Sequence, residues 1–303
     1  MKYAFFKGKI VPFEQANVSI MTHAFNYGTG VFEGIRGYWN ASQKQLFILK
    51  MRAHYERLLR CAKVLRIKIQ HSLDELEQIT LEVAQRNAYQ EDIYIRPLAY
   101  KSQNRIGVGL IGVEDDFCLF LTPFGLYLDI EKGVKIGISS WRRISGRSMP
   151  LGSKITGAYF NSALANAEAK EKGLDEALLL SQEGTVAEGS GENLFLVKNG
   201  KLVTPPLTEN ILPGITRAGI MELAGKELGI ETIEKKVSPE ELFTADELLF
   251  CGTGVQIAPI AEVDGKKIKD GKVGPVTKKL QDIYFKIVRG DDPKYRDWVT
   301  PVY

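Results

Sequence analysis

The sequence predicts two α+β domains, each with its own sheet and helices. Short apolar runs separated by turn residues fill the N-terminal stretch, which is typical of antiparallel strands, and helix-periodic segments occur in both halves. The length of 303 residues suits two domains of roughly 100–200 residues each. A turn-rich segment that begins at Thr122-Pro123-Phe124-Gly125 separates the halves. We therefore expect a smaller domain over residues 1–125, a connection over 126–133 and a larger domain over 134–303.

In the N-terminal half, strands and helices are predicted from different periodicities. Leu58, Ala62 and Leu65 recur at helical spacing, which predicts a helix over residues 52–65. Ser72 and Glu75 form a capping-box pattern that opens a second helix, which ends near residue 88. The remaining apolar runs are strand-sized, and we expect strands at 3–6, 10–12, 46–49, 93–100 and 117–122.

The C-terminal half mixes the two element types in the same way. Asn199-Gly200 lies between apolar runs and predicts a tight hairpin. Gly173 is expected to end a helix, and Ser238 with Glu241 three residues later is expected to begin one. The predicted strands are 134–140, 176–181, 194–197 and 247–250. The predicted helices are 157–172, 215–228, 239–245 and 275–288.

Composition and charge argue against several classes of protein. The 40 Lys and Arg residues nearly balance 37 Asp and Glu residues, and no basic run is interleaved with aromatic residues, so nucleic-acid binding has no support. The apolar runs are shorter than the ~18 residues of a membrane span, and charges interrupt the N-terminus before a secretory signal forms. Three cysteines and three histidines are widely spaced. The odd number of cysteines favours a reducing cytoplasm over a disulfide framework, and so few cysteines and histidines argue against a metal site or a histidine-based triad.

Two glycine-containing turns could hold an anion through backbone N–H groups. Leu212-Pro213-Gly214-Ile215-Thr216-Arg217 places a turn directly before a helix, and the first N–H groups of a helix attract phosphate or carboxylate. Cys251-Gly252-Thr253-Gly254 ends a predicted strand and offers a second turn of this kind. Ordinary turns explain both patterns more commonly, so spacing alone leaves the alternative open.

Four polar side chains and one acidic segment stand out, each with an ordinary alternative. The segment Glu188-Gly189-Ser190-Gly191-Glu192-Asn193 could aim one of its two carboxylates into a cleft, although a solvated loop is the commoner explanation. Lys154, in a loop, could form a Schiff base if its amine were neutral, or simply be solvated. Tyr94 and Arg96 share one strand face, which suits either a carboxylate ligand or an edge-strand salt bridge. Arg57 suits a phosphate or, more commonly, a surface charge.

Taken in order, these segments resemble the branched-chain amino-acid aminotransferases, which are class IV (fold-type IV) pyridoxal-phosphate enzymes. The resemblance covers nearly the whole chain, and the ordered set of motifs is far more specific than any one of them. It implies a smaller N-terminal α/β sandwich and a larger C-terminal pseudo-barrel domain. The motifs are His23-Ala24-Phe25-Asn26-Tyr27-Gly28, Phe32-Glu33-Gly34-Ile35-Arg36, Tyr94-Ile95-Arg96-Pro97, Glu188-Gly189-Ser190-Gly191-Glu192-Asn193-Leu194-Phe195, Leu212-Pro213-Gly214-Ile215-Thr216-Arg217 and Gly274-Pro275-Val276-Thr277.

The resemblance implies pyridoxal 5'-phosphate as the cofactor. Lys154 would form the Schiff base with it and carry the proton of the substrate Cα. Glu188 would face the pyridine nitrogen and stabilise its proton, which keeps the ring an electron sink. Tyr159 would contact the phenolic oxygen of the ring. The phosphate would be held by Arg57, the backbone of Ile215 and Thr216, and the side chain of Thr253.

The resemblance also implies an exchange of the amino group between L-leucine, L-isoleucine or L-valine and 2-oxoglutarate. Tyr94 and the backbone amides at Thr253 and Gly254 would receive the α-carboxylate. Arg96 would meet the distal carboxylate of glutamate or 2-oxoglutarate, with Arg36 as a second cation near the same pocket.

An apolar pocket for the branched side chain would be lined by Phe32, Tyr27 and Tyr127. Tyr27 and the loop 107–110 would come from a neighbouring subunit, in a homodimer or higher homo-oligomer with shared active sites. Aromatic side chains beside one arginine suit a pocket that accepts both an aliphatic chain and a carboxylate.

Alternatives stay open within and beyond this fold. A D-amino-acid or (R)-amine aminotransferase and an aminodeoxychorismate lyase use the same cofactor, and the Tyr94 and Arg96 pair favours the branched-chain enzyme over them. A non-catalytic binding protein that kept the fold is the alternative of another class, and the Lys154, Tyr159 and Glu188 set favours chemistry. This chain has Gly254-Val255 where many relatives have alanines, which leaves aromatic or (R)-amine side activity open.

Overall fold

The structure is a computed structural model that describes residues 1–303. None of its helices combines the length and apolar character that a membrane crossing requires. The strands are β1 (Tyr3–Phe6), β2 (Lys9–Pro12), β3 (Gly30–Phe32), β4 (Ile35–Asn40), β5 (Gln45–Leu49), β6 (Ile93–Lys101), β7 (Asp115–Pro123), β8 (Val134–Arg142), β9 (Glu176–Leu180), β10 (Val186–Gly189), β11 (Asn193–Lys198), β12 (Lys201–Thr204), β13 (Thr232–Glu234), β14 (Glu247–Gly252), β15 (Gln256–Val263), β16 (Lys266–Lys267) and β17 (Val299–Pro301). The α-helices are α1 (His23–Tyr27), α2 (Met51–Val64), α3 (Leu73–Asn87), α4 (Tyr159–Glu171), α5 (Ile215–Leu228), α6 (Pro239–Phe243) and α7 (Pro275–Val288).

The chain divides into two compact units, and the division differs from the predicted one. Unit 1 contains residues 1–125, 153–157 and 285–303, and unit 2 contains residues 126–152 and 158–284. Two segments that we expected in the larger domain therefore belong to unit 1. The reason is long-range pairing: β17 lies beside β5, and Ile155 forms a β-bridge with Val31. Pairing between such distant segments leaves no local periodicity in the sequence.

Unit 1 is built on an antiparallel sheet of eight strands in the order β17-β5-β4-β6-β7-β1-β2, with β3 paired to β6. Strand β6 alternates in burial, because Ile93 and Ile95 point into the core while Tyr94 and Arg96 point to the other face. β6 pairs with β4 on one side and with β7 along its whole length on the other. The edge-strand interpretation of Tyr94 and Arg96 is therefore wrong.

The predicted helix of unit 1 that follows Ser72 begins as its capping box requires. The Glu75 backbone N–H donates to Ser72 Oγ at 3.3 Å, and the Ser72 N–H donates to the Glu75 carboxylate at 2.7 Å. These two bonds satisfy N–H groups that the first turn of α3 cannot pair internally.

Unit 2 is built on a mixed sheet of nine strands in the order β10-β9-β8-β15-β14-β11-β12-β13, with β16 paired to β15. Strand β8 is parallel to both neighbours, whereas β11 and β12 form an antiparallel hairpin. Asn199 and Gly200 join that hairpin with φ angles of 51° and 72°, which is the left-handed turn that an Asn-Gly pair predicts. Apolar side chains of β8, β11, β14 and β15 form one buried cluster with residues such as Ile136, Leu196 and Phe250.

Candidate active site

In unit 1, Phe32 at the end of β3 contacts two other predicted site residues, Lys154 and Arg96. The Phe32 N–H donates to the Lys154 carbonyl at 3.1 Å. The Lys154 Nζ lies 4.9 Å from the centroid of the Phe32 ring, and the Arg96 guanidinium carbon lies 4.5 Å from the same centroid. Cations over a ring face are attracted by its quadrupole. The amine predicted to form the Schiff base and the guanidinium predicted to bind a carboxylate thus both lie near the Phe32 ring.

The backbone around Lys154 is held in place by unit 1. Its N–H donates to the buried Cys61 thiol at 3.4 Å, and its neighbour Ile155 makes the bridge to β3. The hydroxyl of Thr156 donates to the Gly28 carbonyl at 2.7 Å. A segment fixed by partners on both sides of Lys154 limits where its amine can reach. Lys154 itself is half-buried, which differs from a solvated loop lysine.

Arg57 is only 4% exposed, so the surface-charge interpretation of this arginine is wrong. Its Nε donates to Glu33 Oε1 at 2.6 Å and its Nη2 donates to Glu33 Oε2 at 2.8 Å, which is a bidentate pair. His54 Nδ1 lies 2.7 Å from the same Oε2. The sequence reasoning did not identify Glu33 or His54 as site residues. The signal for Glu33 is a single carboxylate inside an otherwise apolar run.

The charges of this cluster determine its protonation. Burial opposes ionisation of Glu33, but the cation of Arg57, with hydrogen bonds from Arg57 and His54, lowers the pKa of Glu33 to about 2. Burial lowers the pKa of His54; Glu33 opposes this effect, while Arg57 and Lys154 add to it. Glu33 is therefore a carboxylate, and a neutral His54 donates its Nδ1 proton to it.

Tyr94 and Arg96 meet on one face of β6, as their spacing predicts. The Arg96 Nη2 donates to the Tyr94 hydroxyl at 3.1 Å. The Tyr94 hydroxyl also packs against Gly34, where an added Cβ atom would lie only 1.9 Å from the hydroxyl oxygen. Only glycine at position 34 leaves room for this tyrosine.

Arg36, which we expect as a second cation near the pocket, is buried and binds backbone carbonyl groups. Its Nη2 donates to the carbonyl oxygens of Phe124 and Gly125, at 3.0 and 2.7 Å. Its guanidinium also lies 5.4 Å and 5.1 Å from the ring centroids of Tyr38 and Phe124. Arg36 thus binds the backbone at the end of the first segment of unit 1, residues 1–125.

Tyr27 is tied to the loop that was predicted to accompany it. The Gly107 N–H donates to the Tyr27 hydroxyl at 2.9 Å, and His23 Nε2 bonds the Gly107 carbonyl at the same distance. The His23 and Tyr27 rings pack at a centroid distance of 4.8 Å. Tyr27 and this loop form one local structure within unit 1.

In unit 2, Glu188 is 5% exposed, so the solvated-loop interpretation is wrong. Its Oε1 pairs with the Arg143 guanidinium at 2.9 Å. Its Oε2 accepts from the Asn193 side chain at 3.1 Å and from the Leu212 N–H at 3.0 Å. These donors fix the orientation of the carboxylate. Sequence reasoning missed Arg143, because its partner lies on a distant strand.

The Leu212 bond connects Glu188 to the glycine turn before α5. Gly214 is the N-cap of α5 and places no side chain over the helix start. A Cβ atom at Gly214 would lie 2.1 Å from the Asn193 amide oxygen, so the turn requires glycine. The N–H groups of Ile215 and Thr216 open the helix, where the positive end of its dipole attracts an anion.

The second glycine turn joins β14 to β15. Gly252 pairs with Gln256, which leaves Thr253 and Gly254 in the turn between them. A Cβ atom at Gly254 would meet no heavy atom within 4 Å. The turn therefore has room for a larger side chain at position 254.

Two further predicted residues of unit 2 are tyrosines. Tyr159 is the first residue of α4 and is half-buried. Tyr127 keeps about half of its surface exposed; burial of the remainder, with Glu176 and Glu192 nearby, raises its pKa to about 12. Its hydroxyl therefore stays protonated at neutral pH.

The chemistry of these groups fits pyridoxal phosphate. In unit 1, Arg57 is a cation that would hold a phosphate ester, and Lys154 carries an amine that would react with an aldehyde. In unit 2, the N–H groups at the start of α5 would hold a phosphate, and the Glu188 carboxylate would hold a protonated pyridine nitrogen.

Comparison with known proteins gives the family. The profile of the amino-transferase class IV family matches residues 30–263. A probable branched-chain-amino-acid aminotransferase of Aquifex aeolicus is 48% identical over 303 residues, covering 100% of this chain and 97% of that protein. The crystal structure of a branched-chain aminotransferase from Thermoproteus uzoniensis with norvaline is similar at a TM-score of 0.95, with 44% identity and 99% of both chains covered. The branched-chain amino acid aminotransferase from Thermobaculum terrenum, in its pyridoxal-phosphate (holo) form, is similar at a TM-score of 0.95, with 38% identity over 100% of this chain and 98% of that chain.

These similarities extend over the full length of the chain and confirm the predicted fold class and cofactor. The chain belongs to the class IV aminotransferases, as a pyridoxal-phosphate-dependent enzyme of the branched-chain-amino-acid aminotransferase family.

Proposed function

We propose that the protein transfers the amino group between branched-chain L-amino acids (leucine, isoleucine and valine) and 2-oxoglutarate. The observation that carries this proposal is the Phe32 ring, which holds the Lys154 amine and the Arg96 guanidinium at 4.9 and 4.5 Å from its centroid. An aromatic ring suits an aliphatic side chain, and a nearby guanidinium suits a second carboxylate. One pocket can then accept both amino donors.

The proposed roles in unit 1 follow from the contacts of each residue. Lys154 attaches the cofactor and moves the proton at the substrate Cα, since its backbone is fixed and the residue is half-buried. Arg57 binds the phosphate with a guanidinium held by Glu33. The Tyr94 hydroxyl donates a hydrogen bond to the α-carboxylate, because its oxygen already accepts one from Arg96.

The proposed roles in unit 2 concern the cofactor ring and phosphate. When bound, the cofactor provides an electron sink that stabilises negative charge at the substrate Cα. Glu188 holds the proton of the pyridine nitrogen, and its bonds to Arg143 and Asn193 keep it oriented. The backbone N–H groups of Ile215 and Thr216 and the hydroxyl of Thr253 bind the phosphate. Tyr159 binds the phenolic oxygen of the ring.

The proposed substrate contacts divide by chemistry. The N–H groups of Thr253 and Gly254 join Tyr94 in binding the α-carboxylate, and Arg96 binds the distal carboxylate of glutamate. Arg36, which binds the carbonyl groups of residues 124 and 125, is a second cation near the same pocket. Phe32 and Tyr127 are the proposed apolar contacts of the aliphatic side chain, with Tyr27 supplied by the neighbouring subunit.

We also propose that the enzyme is a homodimer or higher homo-oligomer with shared active sites. Two neighbouring segments of unit 1 expose large apolar side chains, and the backbone bond from Arg105 N–H to the Met21 carbonyl joins them at 3.1 Å. Several exposed large apolar side chains on neighbouring segments are typical of a protein interface. The exposed side chains include Ile20, Phe25, Ile106, Val108 and Ile111.

All three cysteines are free, which supports a reducing, cytoplasmic compartment.

A coupled assay tests the proposed substrates. The purified enzyme is incubated with L-leucine and 2-oxoglutarate, and glutamate formation is followed. We expect turnover with L-leucine, L-isoleucine and L-valine. Turnover confined to D-alanine or an (R)-amine, or pyruvate release from aminodeoxychorismate, would contradict the proposal. Absence of turnover with every substrate by a protein that binds pyridoxal phosphate would favour the non-catalytic alternative.

A further inference from the structure

We propose that Glu33 is a positioning residue that orients Arg57 for the cofactor phosphate, with His54 fixing the orientation of Glu33. The inference rests on the proposed role of Arg57 in binding the phosphate. It concerns two buried residues to which no role was given above beyond their bonds to each other and to Arg57. Their geometry distinguishes a positioning role from a general contribution to the core.

The carboxylate of Glu33 determines the plane of the Arg57 guanidinium. It binds Nε at 2.6 Å and Nη2 at 2.8 Å, so both bonds lie along one edge of the planar group. A bidentate contact fixes rotation as well as position, and it directs the Nη1 end away from Glu33. Loss of Glu33 would leave the guanidinium with its charge but without this orientation.

Glu33 is itself held at both ends. Its backbone N–H donates to the Pro97 carbonyl of β6 at 2.9 Å. Its Oε2, which also binds Arg57, is hydrogen-bonded to His54 Nδ1 at 2.7 Å. His54 and Arg57 lie three residues apart on α2, so one helix presents both partners to one carboxylate. The carboxylate thus has little freedom to rotate.

The burial of the pair supports the same role. Glu33 and Arg57 are both buried, and their ion pair holds the guanidinium in one orientation away from solvent. A phosphate that approaches this arginine therefore meets a guanidinium already oriented, and it does not have to reorganise a mobile side chain. Binding groups that are held in place beforehand lose less entropy when the ligand arrives.

The test compares two ligands that differ only in the phosphate. Full-length protein is titrated with pyridoxal phosphate and with pyridoxal, and the ratio of the two dissociation constants measures the contribution of the phosphate. The variants are Glu33→Gln, Arg57→Gln and the double variant. Asp92→Asn is the matched control, because Asp92 makes a bidentate pair with Arg289 in the same unit and has no proposed role in binding.

We expect Arg57→Gln and Glu33→Gln each to reduce the preference for pyridoxal phosphate about tenfold to a hundredfold, as loss of an oriented charged hydrogen bond does. The double variant should show no lower preference than Arg57→Gln alone, because Glu33 acts through Arg57. Asp92→Asn should leave the preference unchanged. A loss in Glu33→Gln that is equal for both ligands would indicate a structural role and overturn the inference.

The double variant keeps the test informative if Glu33→Gln fails to fold with an unpaired buried cation. Its preference must then equal that of Arg57→Gln, and a lower value would mean that Glu33 acts independently. If folded Glu33→Gln kept a normal preference for pyridoxal phosphate while Arg57→Gln lost it, only the inference about Glu33 would be overturned. A normal preference in Arg57→Gln would instead contradict the phosphate role of Arg57, and the leucine assay would still test the enzyme activity separately.

Discussion

The hydroxyl of Tyr94 accepts a hydrogen bond from the Arg96 guanidinium at 3.1 Å, on a strand whose other face is buried in the core of unit 1. The bond leaves the hydroxyl proton of Tyr94 directed away from Arg96. A tyrosine and an arginine coupled in this way present a donor and a cation to carboxylate ligands, and they present them from the centre of a sheet, where the backbone moves little.

Replacement of Arg96 should separate the two amino donors. Arg96→Ala is expected to lower kcat/KM for L-glutamate about tenfold to a hundredfold, because the distal carboxylate loses a charged hydrogen bond. The effect on L-leucine should be much smaller, since leucine has no second carboxylate. Half-reactions with each amino acid, followed by the absorbance of the bound cofactor, measure both values in one preparation. Equal losses would indicate that Arg96 acts through the position of Tyr94.

Replacement of Gly34 should displace Tyr94. The Cβ of Gly34→Ala would lie 1.9 Å from the Tyr94 hydroxyl oxygen and 2.6 Å from its Cζ, so the ring must move. We expect a loss of about 1–3 kcal/mol in the free energy of unfolding, as in other overpacked cores. We also expect KM to rise for leucine and glutamate alike. Gly225→Ala is the control, because its Cβ would meet nothing within 4 Å and alanine favours the helix. Unchanged kinetics in Gly34→Ala would show that Tyr94 does not bind the shared α-carboxylate.

Glu33 should contribute stability that is lost in acid. Its folded-state pKa of about 2 lies below the ordinary value of 4.5, so the contribution is complete above pH 4.5 and is lost as the pH falls towards 2. Glu33→Gln leaves a buried cation unpaired, and we expect it to be less stable at pH 7 by about 3–5 kcal/mol. Urea unfolding at a series of pH values should show this difference narrowing below pH 4.5. A difference that stays constant down to pH 3 would be inconsistent with the ionised pair.

An alanine at Gly254 should be tolerated. The position has open space around an added Cβ, so Gly254→Ala is expected to change the free energy of unfolding by no more than about 0.5 kcal/mol. The backbone N–H groups of the turn are retained, and glutamate and leucine should remain substrates. Thermal unfolding and a substrate profile that includes aromatic amino acids measure both effects. A large loss of activity towards every amino acid would show that the glycine is itself required at this turn.

Local patterns predicted much of the fold. The helix over residues 215–228 has the predicted bounds, and Ser72 and Ser238 begin helices with the capping boxes that their sequences indicate. The Asn199-Gly200 hairpin also has the expected turn. Each of these signals depends on residues within a few positions of one another, where backbone preferences act directly. Strand β17 and the Ile155 bridge depend on partners far away in the chain, and local preferences do not encode them.

The same distinction applies to the candidate site. Tyr94 and Arg96 were paired from strand alternation, and the structure places them together. The bidentate bond between Arg57 and Glu33 and the pair between Arg143 and Glu188 join distant parts of the sequence. Because surface charge is the ordinary environment of arginine, spacing alone favoured exposure for Arg57. Family resemblance, which draws on the whole ordered set of motifs, was needed to select it.

The most direct test of this account is chemical identification of the lysine that carries the cofactor. Holoenzyme is reduced with borohydride, digested and analysed by peptide mass spectrometry, with Lys154→Ala treated in parallel. We expect the reduced cofactor on Lys154 alone, and no covalent adduct in the variant. A cofactor found on a different lysine of the wild-type chain would contradict the assignment of Lys154 and, with it, the arrangement proposed around the Phe32 ring.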